Sequence, residues 1–230
     1  MTQKFIKVST AVVITPYHGW MDLFWPGDFI KDSWGLESGL TLLDWTLAGI
    51  DRSLINKLIL ICHTTQYETL SRHLGADQIF SCEDNGITDV MMGIFNEVDE
   101  DILFIYPCVV FHKEFCQQFM SNVLDDVLLA CNKSSLFDSD VSYRQKVIIE
   151  KLQLQGDRVV SCGRLLDKEK WHAAFSGIAR INQSAIKVIL SIWNELRRKP
   201  VEFFYDSINA EKIRFTDFIH HIIDQGGSVR

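Results

Sequence analysis

Three local groups of residues have types and spacings that could do chemistry. The six cysteines could bind a metal or act as nucleophiles, but they contain no C-x-x-C pair, and several lie in apolar runs where a reduced cysteine behaves as a small hydrophobe. Asp138 and Asp140 have the D-x-D spacing of a metal site, but they lie in a polar loop. Arg197, Arg198 and Lys199 form the only dense basic run, which could meet a phosphate or simply end a helix. These local patterns do not define a site by themselves, because a site also depends on the strands and helices that position its residues.

The composition is that of an ordinary globular protein. The 230 residues are 47% hydrophobic and 23% charged, and we expect one domain spanning residues 1–230. The formal net charge of -7 argues against nucleic-acid binding, which relies on clustered Lys and Arg. No stretch approaches the roughly 18–20 apolar residues that cross a bilayer, and Met1–Lys7 contains no apolar signal segment. We therefore expect a cytoplasmic protein with reduced cysteines and no membrane partner.

Buried strands alternate with helices in the first half of the chain. The strand-like apolar runs are Ser9–Thr15, Lys57–His63, Gln78–Ser81 and Asp101–Phe111, the last interrupted by Pro107. Helical spacing is found between them, at Leu40–Ile50, Tyr67–Leu74 and Thr88–Val98. This alternation predicts an α/β fold in three layers, α/β/α, with a mixed, mostly parallel central sheet and right-handed crossovers.

The carboxyl ends of the strands are the expected ligand site, because ligands of open parallel sheets bind beyond that edge. The segments Pro16–Ser38 and Tyr106–His112 each follow a strand, so they should lie near one another. The first is a long irregular loop, of a kind that is usually functional or mobile. Its three tryptophans (Trp20, Trp25 and Trp34) could form a surface for a partner or a ligand.

The second half of the chain has a different pattern. Val147–Leu154 and Arg158–Arg164 predict a β-hairpin that turns at Gly156-Asp157, within an insertion of about residues 140–182. Phe175–Ile181 predicts a further strand. The amphipathic patterns of Ser184–Arg198 and Thr216–Asp224 predict two helices, the last closed by Gly226-Gly227.

Several of these segments occur in an order known from one protein family. Gly39–Leu47 resembles a segment written G-K-P-L-L-x-W-x-L, and Asp101–Phe111 resembles a strand written D-x-L-x-x-Y-G-D-V-V-F. Gly156–Arg164 with Phe175–Ala179 resembles a lid hairpin and an F-I-G-I strand on the acceptor side, and Phe215–Ile219 resembles the helix before a terminal strand. The order resembles that of nucleotidyltransferases, particularly the cytidylyltransferases of phosphonate and phosphocholine pathways. The resemblance implies a Rossmann-like fold with a small β-hairpin lid.

The residues that handle phosphate in this family are changed here. Relatives use a Gly-rich loop written A-A-G-x-G-x-R, a loop lysine, and Mg²⁺ held by carboxylates. At that loop this chain has Thr15, Pro16, Tyr17, His18 and Gly19, with a single glycine, a proline that lacks an N–H, and no arginine. Cys108 stands in place of the metal-binding aspartate, and a thiol is a poor ligand for Mg²⁺. We expect weak or absent metal binding, with Mg²⁺ as the cofactor if the protein is active.

The resemblance also implies a role for individual residues. Lys31 stands near the place of the catalytic loop lysine, and the loop Thr15–Gly19 would hold the triphosphate. Asn85 and Thr88 would contact the base, and Arg164 and Arg180 the acceptor. His112, with His18, could hydrogen-bond phosphate.

Each of these roles has a structural alternative. Lys31 could be an exposed loop lysine, Thr88 a plain helix cap, and the two histidines structural or exposed. Three carboxylates could hold a displaced ion or be ordinary surface groups, namely Asp22, Asp28 and Asp101.

Two functions follow, together with a weaker third. The first is transfer of a nucleotidyl group, of the CMP type, from a nucleoside triphosphate to a phosphorylated or phosphonylated small molecule. The second is a catalytically inactive descendant that binds or assembles with a partner, as a homodimer or with another protein. A nucleotide-sugar binder of the glycosyltransferase type would need a metal site such as Asp138-Ser139-Asp140, whose loop position argues against it.

Overall fold

A computed structural model describes most of the chain. Within the 230 residues, the described ranges are 10–15, 42–64, 67–68, 75–83, 86–106, 109–121, 124–133, 150–167, 169–199, 204–207 and 213–230.

These ranges contain strands and helices in alternation. The strands are β1 (Thr10–Ile14), β2 (Lys57–His63), β3 (Gln78–Cys82), β4 (Ile102–Ile105), β5 (Val127–Asn132), β6 (Lys151–Gln155), β7 (Arg158–Gly163) and β8 (Ala173–Ile181). The helices are α1 (Leu42–Gly49), α2 (Ile87–Glu97), α3 (Lys113–Ser121), α4 (Gln183–Arg198) and α5 (Phe215–Asp224).

One eight-stranded sheet joins all the strands. Its order is β3-β2-β1-β4-β8-β6-β7, with β5 paired to β8. The pairs β2–β3, β1–β2 and β1–β4 are parallel, and the pairs of β8 with β4, β5 and β6 are antiparallel. Strands β1 and β4 have every residue buried, because helices cover both faces of the sheet.

Alternate residues of the central strands pack into two separate cores. Val12 and Ile14 of β1 lie in the core formed with α2, α4 and α5, whereas Ala11 and Val13 lie in the core formed with α1 and α3. Successive side chains of a strand point to opposite faces, so this division defines a three-layer α/β/α arrangement. The predicted fold class is confirmed.

Most predicted elements are present, and β2 has the predicted bounds, Lys57–His63. The predicted strand Asp101–Phe111 is shorter, because β4 ends at Ile105. Helix α3 and strand β5 were not predicted, and the predicted helix Tyr67–Leu74 lies mostly outside the described residues.

The predicted hairpin forms as β6 and β7 with its turn at Gly156-Asp157. It is joined to β8, and its Leu152, Val159 and Cys162 are buried in the same core as Phe104. The hairpin therefore packs into the main core as an extension of the sheet.

Candidate functional site

The candidate site lies at the carboxyl ends of the parallel strands. Thr15 follows β1 and is buried, with its backbone N–H donating to the Ile61 carbonyl of β2 at 2.8 Å. Tyr106 follows β4, and its N–H donates to the Gly177 carbonyl of β8 at 2.7 Å. These bonds place the end of β1, the end of β4 and the middle of β8 at one edge of the sheet.

Gly177 permits the close approach of β8 to the end of β4. Its φ is 89°, in the left-handed region, and a Cβ atom there would lie 2.8 Å from Val109 Cγ2 and 3.1 Å from Tyr106 Cβ. A side chain at this position would push β8 away from Tyr106. The glycine of the F-x-G-I pattern is thus explained by local packing.

An aromatic cluster forms the floor of the site. The ring of Tyr106 lies edge-on to Phe104, Phe175 and Phe215, with centroid distances of 5.2, 5.9 and 6.3 Å. Edge-to-face contacts of this kind hold rings in defined orientations. The hydroxyl of Tyr106 accepts a backbone hydrogen bond from Phe215.

A buried ion pair lies beside this cluster. Arg164 Nε donates to Glu150 Oε1 at 3.0 Å, and both side chains are less than a fifth exposed. The Thr216 hydroxyl donates to the other oxygen of Glu150. The Phe175 N–H donates to the Glu150 carbonyl at 2.8 Å, which places the pair level with the end of β4.

Only one nitrogen of the Arg164 guanidinium is used by these contacts. Nε faces Glu150, while Nη1 and Nη2 make no hydrogen bond to any residue in the described ranges. A guanidinium has several donors in a fixed planar arrangement suited to phosphate or carboxylate. Arg164 is therefore held by Glu150 with donors to spare.

The electrostatics at Tyr106 show which charges surround the site. Burial raises the pKa of Tyr106 well above its ordinary value, and the charge of Glu150 adds to this rise. The charges of Arg164 and Arg214 act in the opposite direction. Arg164, Arg214 and Glu150 thus act on this hydroxyl, and no carboxylate in the described ranges forms an ion pair with Arg214. The carboxylates of Asp206 and Asp217 accept backbone N–H groups of the same two arginines, so the site holds charges of both signs.

Thr88 lies at the same edge of the sheet, on the first turn of α2. The N-cap of this helix is Gly86, so Thr88 is not the cap residue. The Thr88 hydroxyl instead donates to the Ile213 carbonyl at 3.3 Å, close to Arg214. Thr88 is therefore fixed near the site, with its oxygen still able to accept a bond.

Arg180 lies at the opposite end of the sheet. It pairs with Leu103 near the start of β4, whereas Gly177 lies beside Tyr106 at the end. The guanidinium is buried and donates to Asp101 at 2.6 Å. The structure therefore separates Arg180 from Arg164, and Asp101 is its ion-pair partner.

His112 is also separated from the site. The Thr46 hydroxyl of α1 donates to the Val109 carbonyl at 2.8 Å, and Lys113 forms a 3.2 Å ion pair with Asp51, which lies between α1 and the start of β2. The chain thus runs from Tyr106 along α1 toward the amino ends of the strands. His112 lies between Phe111 and Lys113 on that path, away from Thr15 and Tyr106.

Several predicted site residues lie outside the described ranges. They are Pro16, Tyr17, His18, Gly19, Trp20, Asp22, Trp25, Asp28, Lys31, Trp34, Asn85, Cys108, Asp138 and Asp140.

Three residues of the site were not singled out from the sequence. Glu150, Arg214 and Thr216 lie on a strand start and a helix start that are far apart in the chain. Arg214, directly before an amphipathic helix, and Thr216, in the first turn of that helix, were the available signal. Their proximity to Tyr106 depends on how α5 crosses the sheet, which the sequence pattern does not specify.

Four of the five described cysteines are core residues. Cys62, Cys82, Cys116 and Cys162 are buried free thiols, whereas Cys131 is exposed at the end of β5. Burial raises the pKa of Cys62 to about 11 and also raises those of Cys116 and Cys162, so these thiols remain protonated at neutral pH. They serve as small core residues.

The described ranges contain no cluster of metal ligands and no membrane-spanning helix. Within these ranges no group of three His, Cys, Asp or Glu side chains could hold a metal ion. At the end of β4 the charge of Glu150 acts on Tyr106, and both oxygens of this carboxylate are already bonded. These residues do not fit a Mg²⁺ site. No helix in the described part of the chain has the length and apolar character needed to span a membrane.

Solved structures share this fold. The inositol-1-phosphate CTP transferase from T. maritima is similar with a TM-score of 0.66 and 12% identity, covering 97% of this chain and 84% of that one. A protein from Bacillus anthracis assigned as a glucose-1-phosphate thymidylyltransferase, in complex with sucrose, is similar with a TM-score of 0.63 and 9% identity, covering 96% of this chain and 85% of that one. The sequence matches no family model and no curated protein. At these identities the likeness shows the fold alone.

Proposed function

We propose that this chain binds a nucleoside triphosphate and a phosphorylated or phosphonylated small molecule at the carboxyl edge of its sheet, and transfers a nucleotidyl group between them. The observation that carries the proposal is Arg164, which Glu150 holds at the end of β4, whose Nη1 and Nη2 make no hydrogen bond to a residue in the described ranges, and which has Arg214 nearby. The shared fold with an inositol-1-phosphate CTP transferase supports the same reaction class.

The chemistry at this site would be positioning and charge neutralisation. An acceptor phosphate oxygen attacks the α-phosphorus of the triphosphate, and pyrophosphate leaves. The reaction needs alignment of two anionic groups far more than it needs a protein nucleophile. Arg164 and Arg214 would bind the acceptor phosphate and reduce its repulsion toward the triphosphate.

The nucleotide would occupy the carboxyl ends of β1 and β3, which lie on either side of β2. Thr15 and the following Pro16–Gly19 would meet the triphosphate with Lys31, and Asn85 with Thr88 would meet the base. CTP is the nucleotide that we propose, on the resemblance to cytidylyltransferases. The described residues do not fit a Mg²⁺ site, so charge neutralisation is proposed for Arg164, Arg214 and Lys31.

A catalytically inactive binding protein is the second candidate. Cys108 in place of a metal-binding aspartate and the altered loop after Thr15 favour it. Such a protein would still bind a phosphorylated ligand at Arg164.

Thermal shift and product assays separate these candidates. We would measure unfolding temperature with CTP, UTP, ATP, GTP and dTTP, each with and without Mg²⁺, and with inositol 1-phosphate or glucose 1-phosphate. A ligand that binds the folded state raises that temperature by mass action. Pyrophosphate release with CTP and one phosphorylated compound supports transfer. Binding without release supports the inactive protein, and no shift with any compound contradicts both.

A matched pair of variants tests the role of Arg164. The double variant Arg164→Gln, Glu150→Gln removes the charged pair without leaving one buried charge unpaired. Loss of a charged hydrogen bond to phosphate is expected to weaken binding of the phosphorylated compound by about tenfold to a hundredfold. Arg158→Ala, at an exposed arginine that begins β7, the strand that Arg164 directly follows, is the control and should change nothing. Equal affinities in both variants would contradict the assignment.

A further inference from the structure

A carboxylate far along the chain holds the backbone of Arg164. Asp206 Oδ2 accepts the backbone N–H of Arg164, and it also accepts the N–H of Leu165 at 3.0 Å. A single carboxylate oxygen thus binds two consecutive amides that lie about forty residues earlier. Bonds from an ionised acceptor are stronger than neutral ones, so this contact fixes the main chain where β7 ends.

The residue before Arg164 is shaped to admit this carboxylate. Gly163 has φ 145°, and a Cβ atom there would collide with Asp206 Oδ2 and lie 3.1 Å from its Cγ. Any side chain at position 163 would displace Asp206. The glycine and the aspartate therefore act as one unit around Arg164.

Asp206 is itself held by the first turn of α5. It lies in a tight turn in which Phe204 and Ser207 exchange backbone bonds of 2.9 and 3.0 Å. The buried carboxylate of Asp217 accepts the Asp206 N–H at 3.2 Å and the Ser207 hydroxyl. The turn is thereby attached to the helix.

The same carboxylate of Asp217 also holds Arg214. Asp217 Oδ2 accepts the Arg214 N–H at 2.9 Å. The adjacent pair Asp206 and Asp217 thus fixes the main chain of both arginines that act on Tyr106. Because a guanidinium must face its anion in a defined orientation, fixing the backbone limits where those donors point.

We propose that Asp206 is a positioning residue, which orients Arg164 toward an anionic group of the ligand by binding the Arg164 and Leu165 amides. The inference rests on the proposed function for the identity of that anion. With the main chain held by Asp206 and Nε held by Glu150, the two terminal nitrogens of Arg164 have one preferred direction.

The test uses Asp206→Asn, with Asp167→Asn as the matched control. Asp167 is exposed and lies three residues from Arg164, and among the described residues its side chain pairs only with Lys170, at 3.6 Å. Replacing it removes the same charge without affecting the bonds from Asp206 to the Arg164 and Leu165 amides. Gly163→Ala is a second variant, in which the added methyl group displaces the Asp206 carboxylate and Asp206 itself is unchanged. Folding of each variant is checked by circular dichroism and by amide exchange in β1 and β2.

The first readout does not need a ligand. In Asp206→Asn and Gly163→Ala, we expect hydrogen exchange at the Arg164 and Leu165 amides to increase by about tenfold or more, since each loses a charge-assisted bond. The Arg164 Nε–H resonance should also move, because its bond to Glu150 loosens. Unchanged exchange and an unchanged resonance would overturn the proposal.

The second readout is the affinity for inositol 1-phosphate and glucose 1-phosphate, with CTP measured alongside. Asp206→Asn should lower the affinity about tenfold for whichever phosphorylated compound the wild type binds, while the affinity for CTP stays within twofold of the wild-type value. If exchange shows that the bonds from Asp206 are lost, and the affinity nevertheless equals that of Asp167→Asn, the positioning role is overturned. If the wild-type protein binds neither compound, the proposed function fails, and the exchange and resonance readouts alone decide the proposal.

Discussion

Replacing Gly49 by alanine tests the path of the chain after β4. Gly49 is the last residue of α1, and Phe111 lies against it. An alanine Cβ there would collide with the Phe111 carbonyl oxygen and lie 2.9 Å from two carbons of the Phe111 ring. Because His112 follows Phe111, this contact is part of the evidence that the chain runs along α1 and away from the candidate site.

Two effects of opposite sign decide the outcome of Gly49→Ala. Replacing glycine by alanine in a helix stabilises it by at most about 1 kcal/mol, and less at its last residue. Forcing a methyl group into a packed contact costs about 1–3 kcal/mol, and the upper part of that range applies because one of the atoms met is backbone. We therefore expect a net loss of about 1–2 kcal/mol of unfolding free energy.

Gly93→Ala is the matched control. Gly93 lies inside α2, is exposed, and has no atom within 4 Å of the position of an added Cβ. The same substitution there should stabilise the protein by about 1 kcal/mol, because only helix propensity changes. Urea unfolding followed by circular dichroism would show opposite shifts for the two variants. Equal stabilisation by both would refute the packing of Phe111 on α1, and with it the separation of His112 from the site.

Three further outcomes are expected. Asn182→Ala removes the N-cap bond of α4 and should lower the unfolding free energy by about 1–2 kcal/mol in urea titration, and an unchanged value would show that the cap does not contribute. The pKa of Asp51 is lowered mainly by the hydrogen bond from the Gln117 amide. Its stabilising effect is therefore present above the unfolded pKa near 3.8 and is lost as pH falls through the lower folded pKa. Asp51→Asn should destabilise the protein at pH 7 and progressively less below pH 4, and a difference independent of pH would contradict this. Arg180→Gln removes the ion-pair partner of Asp101 and should lower the unfolding free energy by about 3–5 kcal/mol. In protein that remains folded at low temperature, the affinity for a phosphorylated compound should not change. A parallel loss of affinity would return Arg180 to the site.

The central strands could be predicted because their residues are apolar on both faces. Lys57–His63 was bounded correctly, since a continuous apolar run ending in polar residues is typical of a strand buried on both sides. The hairpin turn at Gly156-Asp157 followed from short-range turn chemistry. These signals are local, so one sequence was enough to find them.

Helix α3 and strand β5 show where local signals fail. In α3 the buried residues Cys116, Phe119 and Met120 are separated by polar ones, so the helical stripe is narrow. Strand β5 is a short apolar run, and its place in the sheet is defined by pairing with β8. Tertiary packing determines such elements more than propensity does.

The candidate site depended even more on long-range structure. Arg164 and Arg180 have the same side chain, and both belong to β7 or β8 or follow them directly. The register of β8 on β4 places Arg180 beside Asp101 at the amino end of β4. The ion pair with Glu150, whose carbonyl accepts the Phe175 N–H of β8, places Arg164 at the carboxyl end. Asp206 could not be found from its neighbours, because its function is to bind amides in a distant segment.

The sequence by itself determined the fold class, the buried strands and the edge of the sheet where ligands should bind. These depend on hydrophobic periodicity and on the alternation of strand and helix, which act over a few residues. The tertiary structure alone decided which charged side chains meet at that edge, because charge pairing depends on distances across the sheet. Glu150, Arg164 and Arg214 are brought together around Tyr106 by strand register and by the crossing of α5, and no local pattern encodes that meeting.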